Sequence, residues 1–173
     1  LRAAGIAARA PADLSWTGGD IARFAIPAPF ALLAPGCSPH RPGKRWPAES
    51  YGALAAWLDT QRIVPVIVGS AGERPLADTI RAAAPAARDL TGQTTLGDLA
   101  SLARAAQVAI GNDTGPMHLI ATAGCRSVVL FSRDSDPALC APRGPDVTVL
   151  RRPALASLSP EDVLPLLTPA FAG

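Results

Sequence analysis

Residues 110–118 read Ile-Gly-Asn-Asp-Thr-Gly-Pro-Met-His. The order of types suits anion chemistry. An apolar run ends, Gly111 and Asn112 are expected to turn the chain, and a helix is expected to open near Thr114 and Gly115. The first turn of a helix carries unpaired backbone N–H groups, and the helix dipole adds partial positive charge there. Gly115 has no side chain, so a ligand can approach the backbone closely. Thr114 adds a hydroxyl donor. His118 follows about one turn further in and can point at the same anion. Such a start suits a diphosphate. The plainer alternative is that Asp113 or Thr114 only caps the helix, and that His118 is an ordinary half-buried histidine.

Residues 34–47 read Ala-Pro-Gly-Cys-Ser-Pro-His-Arg-Pro-Gly-Lys-Arg-Trp-Pro. Ser38, His40, Arg41, Lys44 and Arg45 make this loop basic and polar. A lysine binds phosphate as a point charge, whereas arginine offers a two-pronged fork. The alternative is a surface loop with solvated charges. Trp46 beside Pro47 reads as a packing anchor for the next helix rather than a sugar-stacking platform. Cys37 and His40 have a metal-pair spacing, but no second pair accompanies them, so no metal is expected. Residues 68–74, Val-Gly-Ser-Ala-Gly-Glu-Arg, place a carboxylate at a helix start. Glu73 can hold a ribose or sugar hydroxyl, or simply complement the helix dipole. The glycine spacing is not that of a dinucleotide fingerprint, which disfavours NAD. Residues 89–98 form a polar loop before a helix. Thr94 and Thr95 there can contact a base, or Thr95 can cap the helix with Asp98 three residues on.

These segments need a frame that brings them together. The apolar runs at 30–34, 63–68, 107–110, 127–131 and 147–150 predict strands, with a short one near 88–90. Helical spacing covers 47–60, 72–84, 95–104 and 114–123. Ser159, Pro160 and Glu161 open a terminal helix, with serine as cap and proline in the first position. Alternating strands and helices predict an α/β domain: a Rossmann-like three-layer sandwich with a mainly parallel sheet. Parallel strands put their C-terminal ends on one side. Ser38, Arg41, Lys44, Thr114, Gly115 and His118 are therefore expected to converge on one pocket. Residues 1–29, rich in Ala, Gly and Pro, read as a linker or approach segment, and residues 30–173 as the domain.

Composition limits the partners. A chain of 173 residues fits one domain. Sixteen basic against fourteen acidic side chains give a net charge of +2, too even for a nucleic-acid footprint. Three distant cysteines, Cys37, Cys125 and Cys140, cannot all pair, which favours a reducing compartment. No stretch approaches the roughly 20 apolar residues of a membrane span. The first ten residues lack the charged-then-apolar pattern of a signal peptide, and the chain reads as a piece of a longer protein.

The segments, in this order, resemble glycosyltransferase family nine, the ADP-heptose:lipopolysaccharide heptosyltransferase family. Pro35 and Gly36, then Lys44-Arg45-Trp46-Pro47, Gly69 to Glu73, Asp89-Leu90-Thr91-Gly92 and the run from Asn112 to His118 carry the likeness. It spans residue 30 to about residue 150. The family has a GT-B architecture of two Rossmann-like domains. The resemblance implies that this chain is the C-terminal one, which holds the sugar nucleotide. It implies that Lys44 and the backbone at Thr114 and Gly115 hold the diphosphate, with Ser38, Arg41 and His118 close by. By the same resemblance Asp113 orients the sugar, Glu73 binds ribose, and Thr94 and Thr95 line the base. The catalytic base belongs to the N-terminal domain, so no catalytic residue is assigned here, and neither a metal nor a cofactor is implied. Many members follow the last central strand with Phe-Gly-Pro-Thr-Asp-Pro, where this chain has Phe131-Ser-Arg-Asp-Ser-Asp-Pro137. Arg133 is thus either a new phosphate contact or a solvent-exposed side chain.

The resemblance implies transfer of a sugar from an ADP-heptose-like donor to a lipopolysaccharide core acceptor, which the missing domain would bind. That work belongs to the cytoplasm, at the inner face of the inner membrane, and leaves peripheral membrane association open for the whole protein. The 173 residues alone are expected to bind a nucleoside diphosphate weakly and to transfer nothing, because positioning between two domains supplies much of such a rate. Two other readings stand beside it: a non-catalytic nucleotide- or anion-binding module, and half of a sugar-nucleotide epimerase.

Overall fold

A computed structural model describes residues 12–38 and 40–167. Six strands form one sheet: β1 (Phe30–Ala34), β2 (Val64–Ile67), β3 (Arg88–Asp89), β4 (Val108–Asn112), β5 (Ser127–Phe131) and β6 (Val147–Arg151). Their order is β3-β2-β1-β4-β5-β6, and every pairing is parallel. The helices are α1 (Ala48–Thr60), α2 (Arg74–Ala83), α3 (Leu96–Ala105), α4 (Gly115–Thr122), α5 (Pro137–Cys140) and α6 (Pro160–Leu167). This is the expected Rossmann-like sandwich, with the order of strands reversing between β1 and β4.

The central strands are apolar throughout because both faces are covered. Side chains alternate between two cores. Ala31, Leu33, Ile110, Val128 and Leu130 join Tyr51, Leu54 and Leu58 of α1, Ile80 of α2 and Val163 of α6. Phe30, Leu32, Ala109, Val129 and Phe131 join Leu99 and Leu102 of α3 and Met117 and Ile120 of α4. Each such fully buried leucine or isoleucine contributes about 1.5–3 kcal/mol relative to exposure. A one-residue slip in any of these strands would exchange the two cores.

Element boundaries differ from the sequence reading at informative places. Gly111 and Asn112 do not turn the chain; both remain in β4. A Cβ at Gly111 would lie 2.6 Å from the Met117 side chain and 2.8 Å from Ala34 Cβ, so the glycine serves close packing. The segment at 72–84 divides into a 3-10 turn, Ala71–Glu73, and α2. The four-residue α5 is an addition, capped by Asp136, whose carboxylate accepts from the Ala138 amide at 3.0 Å.

Residues 12–29 lie along α3. The Gly19 amide donates to Ser101 Oγ at 2.9 Å, Arg23 pairs with Asp98 at 2.6 Å, and Arg104 donates to the carbonyls of Leu14 and Thr17. Ile21, Phe24 and Ile26 pack on the second core. Residues 1–11 of the expected approach segment, and residues 168–173 of the expected domain, lie outside the described residues. Cys37, Cys125 and Cys140 are free thiols. Burial, with Asp146 nearby, pushes the Cys125 thiol up to about 12. Among the described residues no helix is long and apolar enough to cross a membrane.

Candidate functional site

The loops after β1, β4 and β5 leave three neighbouring strands at one edge of the sheet. Between them lies a cavity of about 640 Å³. Ser38, Arg41 and Lys44 line it from the β1 loop, and Asp113, Thr114, Gly115 and His118 from the end of β4 and the start of α4. Asp134, Ser135 and Asp136 line it from the β5 loop, with Leu139 and Cys140 of α5. The six residues expected to share a pocket therefore do so.

Asp113 stands at the centre. Its side chain is only 6% exposed, and its Oδ2 accepts from Lys44 Nζ at 2.5 Å and from the Ser135 hydroxyl at 2.8 Å. His118 Nε2 lies 3.8 Å from the other oxygen, Oδ1. A buried carboxylate needs such partners, because desolvation of an unpaired charge is costly. Lys44 thus reaches the floor of the cavity in an ion pair. Arg41 donates instead to the Asp134 carbonyl at 3.4 Å, across the mouth. The β1 and β5 loops also touch where Gly43 meets the Asp134 carboxylate: a Cβ there would lie 2.2 Å from Asp134 Oδ2.

The start of α4 is open. Thr114 occupies the N-cap position with extended backbone, yet its hydroxyl makes no capping bond. Among the described residues neither the Thr114 nor the Gly115 amide has an acceptor. Nothing lies within 4 Å of the position a Gly115 Cβ would take. Helix dipole, two amides and free space meet at one point on the cavity wall.

Asn112 holds the surroundings in register. It is fully buried at the end of β4. Its amide nitrogen donates to the Pro35 and Gly36 carbonyls at 2.8 and 3.2 Å, and its oxygen accepts from the Trp46 amide at 3.0 Å. The Tyr51 hydroxyl lies 3.2 Å from the same oxygen, and burial pushes that hydroxyl well above the ordinary phenol range, so it remains a donor. Trp46 is buried, edge-on to Tyr51 with ring centres 4.7 Å apart, and its indole N–H donates to the Leu158 carbonyl. It is the packing anchor its neighbours suggested.

Other sequence candidates sit elsewhere. Glu73 does not line the cavity; its Oε2 accepts from the Ser70 amide and hydroxyl at 2.6 and 3.0 Å. Its carboxylate is wedged over Gly36 and Gly69, where a Cβ would lie 1.5 and 2.6 Å from its oxygens. Thr95 closes a capping box with Asp98, and the half-buried Thr94 beside it is likewise away from the cavity. Arg133 is exposed and donates to the Pro153 carbonyl at 3.1 Å. Nothing in residue type or spacing marks Asp134, Ser135 or Asp136, and Cys140 enters the sequence reading only as an unpaired thiol. The signal available was positional: they follow a third strand end on the same edge.

The pattern of Glycosyltransferase family 9 (heptosyltransferase) matches residues 7–165. The chain belongs to that family. Lipooligosaccharide heptosyltransferase 2 of Haemophilus influenzae is 31% identical over 115 residues, covering 64% of this chain and 33% of that protein. Lipopolysaccharide heptosyltransferase 2 of Escherichia coli is 32% identical over 115 residues, with the same coverage. Among solved structures, E. coli ADP-heptose lps heptosyltransferase II superposes with a TM-score of 0.79 at 26% identity, over 87% of this chain and 49% of that one. A glycosyltransferase family 9 protein of Veillonella parvula has the same fold, with a TM-score of 0.77 at 21% identity over 87% and 49% of the two chains. The chain thus spans about half the length of these solved relatives and aligns with a third of the curated ones.

Proposed function

We propose that this chain is the donor-binding, C-terminal half of a heptosyltransferase-like enzyme. It holds an ADP-heptose-like sugar nucleotide for transfer to a lipopolysaccharide-type acceptor. The observation that carries the reading is the meeting of the open α4 start, Lys44 and Asp113 in one cavity. The diphosphate sits against the Thr114 and Gly115 amides. Lys44 moves from Asp113 to the phosphate oxygens as negative charge arrives, and Arg41, Ser38 and His118 complete the wall. Asp113 then faces the sugar. Glu73 serves ribose, and backbone groups of the Thr94–Thr95 turn serve the base, if the nucleoside extends from the cavity over Gly36. Fixed donors at a leaving diphosphate stabilise the charge that develops as the glycosidic bond breaks. The base that activates the acceptor hydroxyl, and the acceptor site, belong to the N-terminal domain in this reading. Work at the inner face of the cytoplasmic membrane follows from a lipid-linked acceptor.

Titration calorimetry with ADP, GDP, UDP and their sugars tests it. We expect weak binding with a preference for adenine, and no sugar transfer by the 173 residues alone. Binding to none of these ligands, or transfer by this polypeptide without another domain, would overturn the assignment.

A further inference from the structure

The two oxygens of Asp113 are unequally engaged. Oδ2 takes both strong contacts, Lys44 Nζ at 2.5 Å and the Ser135 hydroxyl at 2.8 Å, and the Cys140 thiol lies 3.9 Å from it. Oδ1 lies 3.8 Å from His118 Nε2, beyond hydrogen-bond reach, on the side of the half-exposed imidazole. A lysine alone cannot maintain this asymmetry. Its ammonium is a point charge on a flexible stem and can follow either carboxylate oxygen, or leave for a phosphate.

Ser135 differs because its loop is tied down at both ends. The Asp134 amide donates to Ser132 Oγ at 3.2 Å, and Asp136 caps α5. The serine hydroxyl therefore reaches Asp113 from a fixed point, independent of where Lys44 goes. We infer that Ser135 is a positioning residue: it holds Oδ2 so that Oδ1 stays presented to a sugar hydroxyl of the donor. This rests on the reading of the cavity as a sugar-nucleotide site. A carboxylate oxygen accepts from a sugar hydroxyl in only some orientations, and the serine selects among them. Without it, the carboxylate turns to follow the ammonium, and the two compete with the ligand.

The test separates sugar recognition from phosphate recognition. ADP and ADP-heptose are titrated into the full chain, parent and variants, by calorimetry. Ser135→Ala should weaken ADP-heptose by about threefold to tenfold, as expected for one lost orienting hydrogen bond, with ADP affinity kept within about twofold. Ser135→Thr, which keeps the hydroxyl, should restore the ratio of the two affinities. In the ligand-free protein the His118 ring resonances should move in Ser135→Ala and return in Ser135→Thr, while those of His40 stay in place. An unchanged affinity ratio in Ser135→Ala overturns this inference alone. So does an equal loss for both ligands, which would mark a purely structural serine. A parent that binds neither ligand overturns the reading of the cavity, and this inference with it.

Discussion

Two helices, α3 and α4, start at the same edge of the sheet, each with a threonine at its N-cap, and they treat that start in opposite ways. At α3 the Thr95 hydroxyl accepts from the Asp98 amide at 3.1 Å, and Asp98 Oδ2 accepts from the Thr95 amide at 2.8 Å. The box is closed by the helix's own side chains. At α4 the residue three positions after Thr114 is Met117, which is fully buried against Gly111. Pro116 between them has no N–H to offer. The position that would hold a capping carboxylate has gone to the core, and the residues before it line the cavity. A helix start is available to a ligand when its own sequence leaves it unclosed; dipole and threonine are common to both.

Filling the open start should have the largest effect. Gly115→Val projects into free space, so the fold should survive with an unchanged melting temperature. The side chain should displace phosphate oxygens from both amides and weaken ADP by about a hundredfold or more, since each charge-assisted bond contributes about 1.5–3 kcal/mol. Calorimetry beside a thermal melt would show this, and near-parent ADP affinity would remove α4 from the site. Lys44→Ala comes next, with a loss of about tenfold to a hundredfold in ADP affinity. A lysine in a polar surface loop would ordinarily contribute little to stability. The ion pair with the buried Asp113 says otherwise, and denaturant titration should find a cost of about 1–3 kcal/mol. Adding Asp113→Ala should return much of the stability and none of the affinity.

At the closed start the effects should be smaller and purely structural. Thr95→Ala should cost about 1 kcal/mol and leave ADP affinity within about twofold. A larger loss of affinity would show that the threonine touches the nucleotide. The same box has a signature in acid. The Thr95 backbone amide holds Asp98 below its ordinary 3.8 against the opposing effect of burial, helped by the Thr95 hydroxyl and Arg23. A carboxylate lowered on folding contributes stability that is present in full above its unfolded value. That contribution is lost as pH falls below 3.8 through the lowered folded value. Melts from pH 5 to pH 2 should therefore fall less steeply for Asp98→Asn than for the parent.

The sheet is largely legible because buried parallel strands announce themselves as apolar runs, and three of them mark the strands that carry the cavity. The pocket was legible through topology: residues at C-terminal strand ends must share an edge. What escaped was the use made of particular side chains. Nothing in the spacing of Lys44 and Asp113 says that they pair, since 69 residues separate them and the contact exists only after folding. In the β5 loop the conspicuous charge is that of Arg133, while Ser135 two residues on makes the buried contact. Asn112 looked like a turn residue, because asparagine after glycine usually is one. Its four hydrogen-bond partners lie on segments distant in sequence.

Asn112 also sets a limit on motion. It clamps the chain at Pro35 and Gly36 on one side and at Trp46 on the other, using donor and acceptor ends of a single amide. In the proposed role, any adjustment of Ser38, Arg41 and Lys44 toward a ligand is confined to the residues between two pinned points. The loop is held like a handle hinged at both ends. An aspartate at 112 would turn a carboxylate oxygen against two buried carbonyls and release one hinge, while a leucine would release both.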